Sequence, residues 1–390
     1  MEERGIYTDL LRALVSKGHE VTAVTPVERR DNKKGHVNKQ ERFTNIHVKT
    51  LNIQKTGIIE KTMGMLTIAT QFKRAIKKHQ PDATFDLILY STPPITLYSL
   101  IKWLKKSMDC KTYMLLKDIF PQNAVDMGMI RKNSAIHSYF SRTEKKLYNL
   151  SDYIGTMSPA NTQFLLAHHS YLNPEKIYEN PNSIEPQFNV LAVKDKQTIR
   201  EKYSLPLNKR ILVYGGNLGI PQGIDFLIEV LDKVQVPNCF FLIVGSGSEF
   251  SKLKAWFDKI NPLNAILIAG LPKAEYDLLL QSCDIGLILL HKDFLIPNFP
   301  SRLLSYLEMG FPIITATDAN TDIGKIVEDS KCGIALQAGN IDAFEKAVQA
   351  IVNDDLIYGE MAINAKKLLL SRYTVDKSVQ IIENQVMLQK

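Results

Sequence analysis

The 390-residue chain is 45% hydrophobic and 23% charged, a balance that fills buried cores and excludes a disordered, collagenous or disulfide-scaffold protein. Its net charge of +7 is unevenly spread: residues 1–190 carry 27 Lys and Arg against 18 Asp and Glu, residues 191–390 carry 21 against 23, so the first half is the one expected to meet an anionic partner. No apolar run reaches the roughly 20 residues that span a bilayer, and the opening MEERGIYTDL lacks the long apolar core of a signal peptide, which makes the expected location cytoplasmic.

In chain order, Ile6 to Ser16 reads as a helix, followed by strand-like EVTAVTP, NIHVKTL, DLILYS, KTYMLLKD and SDYIGTMS, with helix-like segments between them. A doubly wound domain ordinarily opens with a strand, yet here a helix follows Gly5 directly, so the first strand is expected to be missing or its place taken by another element. Two helix-like stretches, residues 61–80 and 96–108, mix apolar residues with lysines and set Trp103 beside Lys102, Lys105 and Lys106. Such helices lie at lipid headgroups or cover a sheet with a solvated face. Around residues 180–210 the alternation breaks. The second half then repeats it with RILVYGG, CFFLIVGSG, AILIAG, DIGLILL and FPIIT, each followed by a helix-like run, and only helices are expected from about 342 onward. This is the pattern of α/β architecture with parallel sheets. The expected division is a first domain over 1–188, a second over 205–372, and a terminal helix over 373–390 that packs back on the first.

The four cysteines, Cys110, Cys239, Cys283 and Cys332, are widely spaced, with no CxxC and no histidine at metal spacing, and read as reduced, buried thiols. Three turns stand out instead. LVYGGNLGIPQGIDFLI sets Gly215, Gly216, Gly219 and Gly223 between a strand and a helix, where backbone N–H groups favour a diphosphate and where glycine also serves plain steric fit. FLIVGSGSEF ends a strand with Gly245 and Gly247 and offers Ser248 as a helix cap. In PSRLLSYLEMGFPII, Pro300 and Ser301 fit a helix start with the serine hydroxyl as cap, Arg302 adds a cation, Gly310 ends the helix and Pro312 prevents its renewal. All three turns fall at carboxyl ends of strands, where open α/β sheets bind ligands.

The succession GGNLGIPQG, VGSGSE, AGLPKAEYDLLLQSCDIGLILL and PSRLLSYLEMGFPIITA resembles the donor domain of family 4 glycosyltransferases. GIYTDLLRALVSKGHEVTAVTP and ENPNSIEP resemble that family's first helix and second strand and the turn before its interdomain linker. The branch it most resembles, that of L-fucosamine transferases, handles amino or deoxy sugars in O-antigen, capsule or colanic acid assembly. The resemblance implies the GT-B fold, two Rossmann-like doubly wound α/β domains facing across a cleft, and a retaining, metal-independent sugar transfer without cofactor. The implied donor is a nucleotide diphosphate sugar, a UDP-linked N-acetylhexosamine or deoxy relative, and the implied acceptor a polyprenyl-diphosphate-linked saccharide. The basic first domain would rest on the anionic inner face of the plasma membrane; no nucleic-acid partner is expected.

By the same resemblance Arg302 becomes the electrostatic catalyst at the leaving diphosphate. Gly216, Asn217, Gly219, Gln222, Gly245 and Gly247 would hold the diphosphate, Gly270, Leu271 and Lys273 the base, and Pro300, Ser301, Ser305 and Glu308 the rest of the donor. In the first domain MLLKDIFPQNAVDMGM resembles the branch's DLWPE-like segment. Asp118 would orient or deprotonate the acceptor hydroxyl, or else cap the turn, with Gly5, Lys117 and Gln122 as acceptor contacts. The chain departs from the family in having Asn217 and Gln222 where many members carry an arginine and a lysine, and Pro297 and Ser305 where many carry two glutamates. Glu308, one helical turn beyond Ser305, either substitutes for one of these or is a solvated helix residue. Two rival readings follow: a UDP-N-acetylglucosamine 2-epimerase-like enzyme, and a silent paralogue that binds sugar nucleotide or acts as a scaffold.

Overall fold

In the computed structural model, which describes residues 3–53, 56–188 and 191–387, the chain forms two units, one of residues up to Glu185 together with those from Val375 onward, the other Pro186–Thr374. Met1 and Glu2 of the opening segment, Asn189 and Val190 of the sequence break, and 388–390 of the terminal helix lie outside the described residues.

The first unit carries β1 (Val21–Glu28), β2 (His36–Gln40), β3 (Phe43–Thr50), β4 (Leu87–Thr92), β5 (Lys111–Leu116), β6 (Tyr153–Thr156) and β7 (Ile177–Glu179). These strands do not make one sheet. They form a three-stranded sheet in the order β1-β3-β2, with β2 antiparallel, and a four-stranded parallel sheet in the order β4-β5-β6-β7. No described strand stands between β1 and β4, the place where the first strand was expected to be missing, so each of the two pairs on one edge only. Helix Ile6–Ser16 covers the larger sheet, packing Leu10 and Ala13 on Tyr113, Leu115 and Tyr153. Helix Val375–Met387 adds Val379 and Ile382 to the same core. Buried Asp9 fixes the end of that first helix, accepting the N–H groups of Gly5 and Glu185 at 3.1 Å each.

The second unit contains β8 (Arg210–Asn217), β9 (Cys239–Ser246), β10 (Ala265–Ala269), β11 (Ile285–Leu289), β12 (Ile313–Thr317) and β13 (Gly333–Gln337), all parallel in the order β10-β9-β8-β11-β12-β13. The near-continuous apolar runs of β8, β9, β11 and β12 follow from burial on both faces. The order reverses between β8 and β11, which makes the carboxyl ends of these strands the natural ligand crevice. The unit begins earlier than the expected 205, because helix Val193–Lys202 is tied into it. Buried Arg200 donates to Asp284 at 2.6 Å and to the Ser282 carbonyl at 2.9 Å, and Lys196 reaches Asp284 at 2.8 Å.

All four cysteines are free and buried. Trp103 does not present a bare ring: Lys73 and Lys77 of helix Ile58–His79 lie over it, 4.8 and 5.6 Å from its centre. Lys105 is committed to Asp152 and the Leu150 carbonyl, both at 2.8 Å. Among the described residues no helix is long and apolar enough to cross a membrane.

Candidate functional site

At the end of β8 the chain must turn sharply beside β9. Gly216 has φ +120, a conformation L side chains rarely adopt, and a Cβ on its neighbour Gly245 would stand 2.0 Å from the Gly216 carbonyl oxygen. The two glycines are paired in register, Gly216 with Gly245 and Asn217 with Ser246, so the first two turns are joined at the strand ends. The turn from β10 adjoins them, since a Cβ on Gly270 would lie 3.4 Å from the Ser246 hydroxyl.

The third turn delivers a cation to the same place. A Cβ on Gly216 would lie 3.7 Å from Nη2 of Arg302, the first residue of helix Arg302–Met309. The guanidinium stacks on Tyr214 at 4.1 Å and is surrounded by the oxygens of Tyr214, Tyr306 and Tyr276. Burial pulls its pKa down, but the tyrosine oxygens outweigh that and raise it, so the charge is retained. Among the described residues no carboxylate neutralises it, and Nη1 is buried with no hydrogen-bond partner. The tyrosines are themselves fixed: Tyr306 donates to the Val213 carbonyl and accepts from the Gly215 N–H, both at 3.1 Å, while Tyr214 donates to the Asn217 carbonyl at 3.1 Å. An anion set against Gly216 would supply the missing countercharge.

Asn217 and Gln222 form an amide clasp in the first turn. Gln222 Oε1 accepts from Asn217 Nδ2 at 2.9 Å and from the Gly219 N–H at 3.1 Å. Lys273, exposed at the start of helix Lys273–Leu280, pairs with Asp277 at 2.7 Å. Leu271 precedes it, half-buried.

Several expectations are corrected. Ser301 has helical φ and ψ and makes no capping bond, and Ser248 is not the cap of helix Phe250–Ile260, whose flanking residue is Glu249. Glu308 is not solvated: it is buried, and its Oε1 accepts the Gln187 N–H at 2.6 Å. Ser305 is half-buried one turn beyond Arg302, and half-buried Pro300 offers its carbonyl to the Leu303 N–H at 3.1 Å. Gly310 closes the helix in the left-handed region, φ 70, as its sequence position requires.

In the first unit, Lys117 and Asp118 leave β5 half-buried. Burial lifts the Asp118 carboxyl to about 6, against the pull of the Ile119 N–H and of Asn123, whose side-chain amide donates to it. Burial brings the Lys117 ammonium down to about 7, and it makes no hydrogen bond or ion pair among the described residues. Gln122 is turned to Asp126, donating at 2.6 Å. Gly5 has its N–H committed to Asp9 and its carbonyl to Thr8 and the Asp9 N–H, which leaves little for a ligand. Sequence reasoning missed Asn123 and the three tyrosines around Arg302. Only the adjacency of Tyr214 to Gly215 hinted at them.

Sequence profiles described as Glycosyltransferase Family 4 and Glycosyl transferases group 1 match residues 6–188 and 195–368. The chain belongs to the family 4 glycosyltransferases. It is a retaining enzyme of the GT-B fold, with a Rossmann-like parallel sheet in each unit. Among curated relatives it is 21% identical over 303 residues to the probable glycosyltransferase WbjE of Pseudomonas aeruginosa, covering 75% of this chain and 72% of that one. It is 28% identical over 158 residues to the putative colanic acid biosynthesis glycosyl transferase WcaI of Escherichia coli K12, covering 40% and 38%. Among solved structures, sucrose-phosphate synthase from Thermosynechococcus elongatus superposes with a TM-score of 0.76 at 15% identity over 99% of this chain and 94% of that one. Anabaena Alr3699/HepE in complex with UDP superposes at 0.65 with 14% identity over 88% and 86%.

Proposed function

We propose that this glycosyltransferase moves an N-acetylated amino sugar or deoxy hexose from a UDP-linked donor to a polyprenyl-diphosphate-linked saccharide in bacterial surface polysaccharide synthesis, within the branch of L-fucosamine-type transferases. The observation that carries the donor assignment is the Arg302 charge, balanced by no carboxylate among the described residues and set against Gly216 at the topological reversal of the sheet. As the bond between the anomeric carbon and the diphosphate oxygen breaks, its electron pair leaves with the diphosphate. Arg302 and the N–H groups of the glycine turns meet that growing charge. The acceptor oxygen forms the new bond to the anomeric carbon, and its proton needs a base, a role suited to Asp118 above about pH 6. Lys117 and Gln122 complete the acceptor contacts in this reading. Gly270, Leu271 and Lys273 flank the base, and Asn217, Gly219, Gln222, Gly247, Pro300, Ser301, Ser305 and Glu308 line or support the donor site.

The relatives support this reading: WcaI is named for colanic acid biosynthesis and the HepE structure holds UDP. A membrane-surface location, with the enzyme cytoplasmic and peripheral, draws support from the basic first half and from helix Ile58–His79. There Ile59, Met63 and Leu66, spaced along one face, are 77%, 53% and 51% exposed. The test is the melting temperature against UDP, GDP, TDP and CMP. Ligand at 100 times its Kd adds about 2.7 kcal/mol to stability, so UDP should raise the melting point clearly and the others little. No shift with any nucleotide would overturn the donor assignment.

A further inference from the structure

Arg302 emerges from a segment, residues 291–301, that has little regular structure of its own and must be held from outside. One end is pinned to the first glycine turn, the His291 N–H donating to the Pro221 carbonyl at 2.9 Å. Its middle is held by the turn after β12. Asn320 Nδ2 donates to the Phe294 carbonyl at 2.8 Å, and the Thr321 hydroxyl accepts the Asn298 N–H at 3.0 Å. That hydroxyl has a single proton, which it donates to Oδ2 of buried Asp318 at 3.0 Å. Oδ1 of the same carboxylate accepts the N–H groups of Asn320 and Thr321 at 2.8 and 2.9 Å. The direction of this relay is fixed at both ends, because a backbone N–H only donates and an ionised carboxylate only accepts.

We propose that Asp318 and Thr321 are positioning residues for the donor site, acting through Asn298 to hold the segment that places Arg302 against Gly216. This role rests on the donor assignment above and adds two residues that touch no substrate. Buried Phe294 and Ile296 anchor the segment by packing, while Leu295 points outward. The relay supplies what packing does not, a fixed backbone path just ahead of the helix that carries the cation. Replacing Asp318 by asparagine keeps the shape but puts an amide donor against either the Thr321 hydroxyl or the two N–H groups. Replacing Thr321 by valine keeps the shape and orphans the Asn298 N–H.

The test uses the full chain as wild type, T321V, T321S and D318N, with two readouts. The first is hydrogen exchange of the peptide covering 293–302 without ligand. The second is UDP affinity by calorimetry. T321V and D318N should speed exchange in that peptide while leaving β8 and β9 protected, and should weaken UDP binding about tenfold, the cost of one unmade buried hydrogen bond. T321S, which keeps the hydroxyl, should restore both. A merely structural role would lower the melting temperature in T321V yet leave UDP affinity unchanged beside a wild type that binds, and that result overturns the relay alone. Unchanged exchange in 293–302 overturns it too. Failure of the wild type itself to bind UDP overturns the donor assignment and this role with it.

Discussion

Replacing Arg302 by methionine removes the charge and keeps most of the length of the side chain. Nη1 has no hydrogen-bond partner among the described residues and Nη2 faces Gly216, so the guanidinium has two directions in which to meet a diphosphate. At about 1.5–3 kcal/mol for each hydrogen bond to a charged group, the loss comes to roughly 3–6 kcal/mol, a fall of about 100-fold or more in kcat/KM. Without ligand the surrounding tyrosine oxygens favour the charge by more than burial penalises it, so the empty methionine variant should melt somewhat below the wild-type temperature. UDP calorimetry, initial rates of donor consumption and a thermal scan of the empty protein read the three quantities. A large loss of UDP affinity and turnover beside only a modest drop in melting temperature marks a site that carries its charge for an anion. A variant that binds UDP within about twofold of wild type would refute the reasoning, because the charge would then be serving the fold alone.

Three further outcomes are expected. Since burial lifts Asp118 to about 6, turnover should fall as pH drops through 6, and D118N should lower kcat by about 100- to 10,000-fold and flatten that acid limb. Glu144, buried and accepting from the Tyr148 hydroxyl at 2.9 Å, is pushed up by burial to about 8, so between its ordinary value of 4.5 and 8 the folded protein binds the extra proton and stability falls as pH rises. The melting-point advantage of E144Q over wild type should therefore grow from pH 5 to 8 and level off beyond. D284N should cost about 3–5 kcal/mol in chemical denaturation, by leaving Arg200 unpaired in the interior, while leaving UDP affinity unaltered.

The second unit was legible because its central strands β8, β9, β11 and β12 are buried on both faces, and β8 and β9 end in glycine turns. Runs such as RILVYGG and CFFLIVGSG match β8 and β9 almost to the residue. Three strands escaped. β2, HVNKQ, is a mostly exposed edge strand whose polar sequence carries no apolar alternation; β7 spans only Ile177–Glu179; β13, GIALQ, is short and lies at a sheet edge, with only its first residue fully buried. The division of the first unit into two sheets was foreshadowed by the helix after Gly5, but which strands would lose their neighbour depends on pairing that no local pattern encodes. At the site, the glycines and Arg302 were visible as turn chemistry. The tyrosine surround was not, because Tyr276 and Tyr306 reach Arg302 from helices that read as ordinary sheet cover. Glu308 looked solvated for a similar reason: its partner is a backbone N–H at Gln187, more than a hundred residues away in sequence.

The donor assignment stands or falls on where a bound diphosphate sits. An experimental structure of the full chain with UDP should show the β-phosphate within hydrogen-bonding distance of the Arg302 guanidinium and against the Gly216 backbone. UDP bound elsewhere, or bound with Arg302 still turned only to its tyrosines, would contradict it.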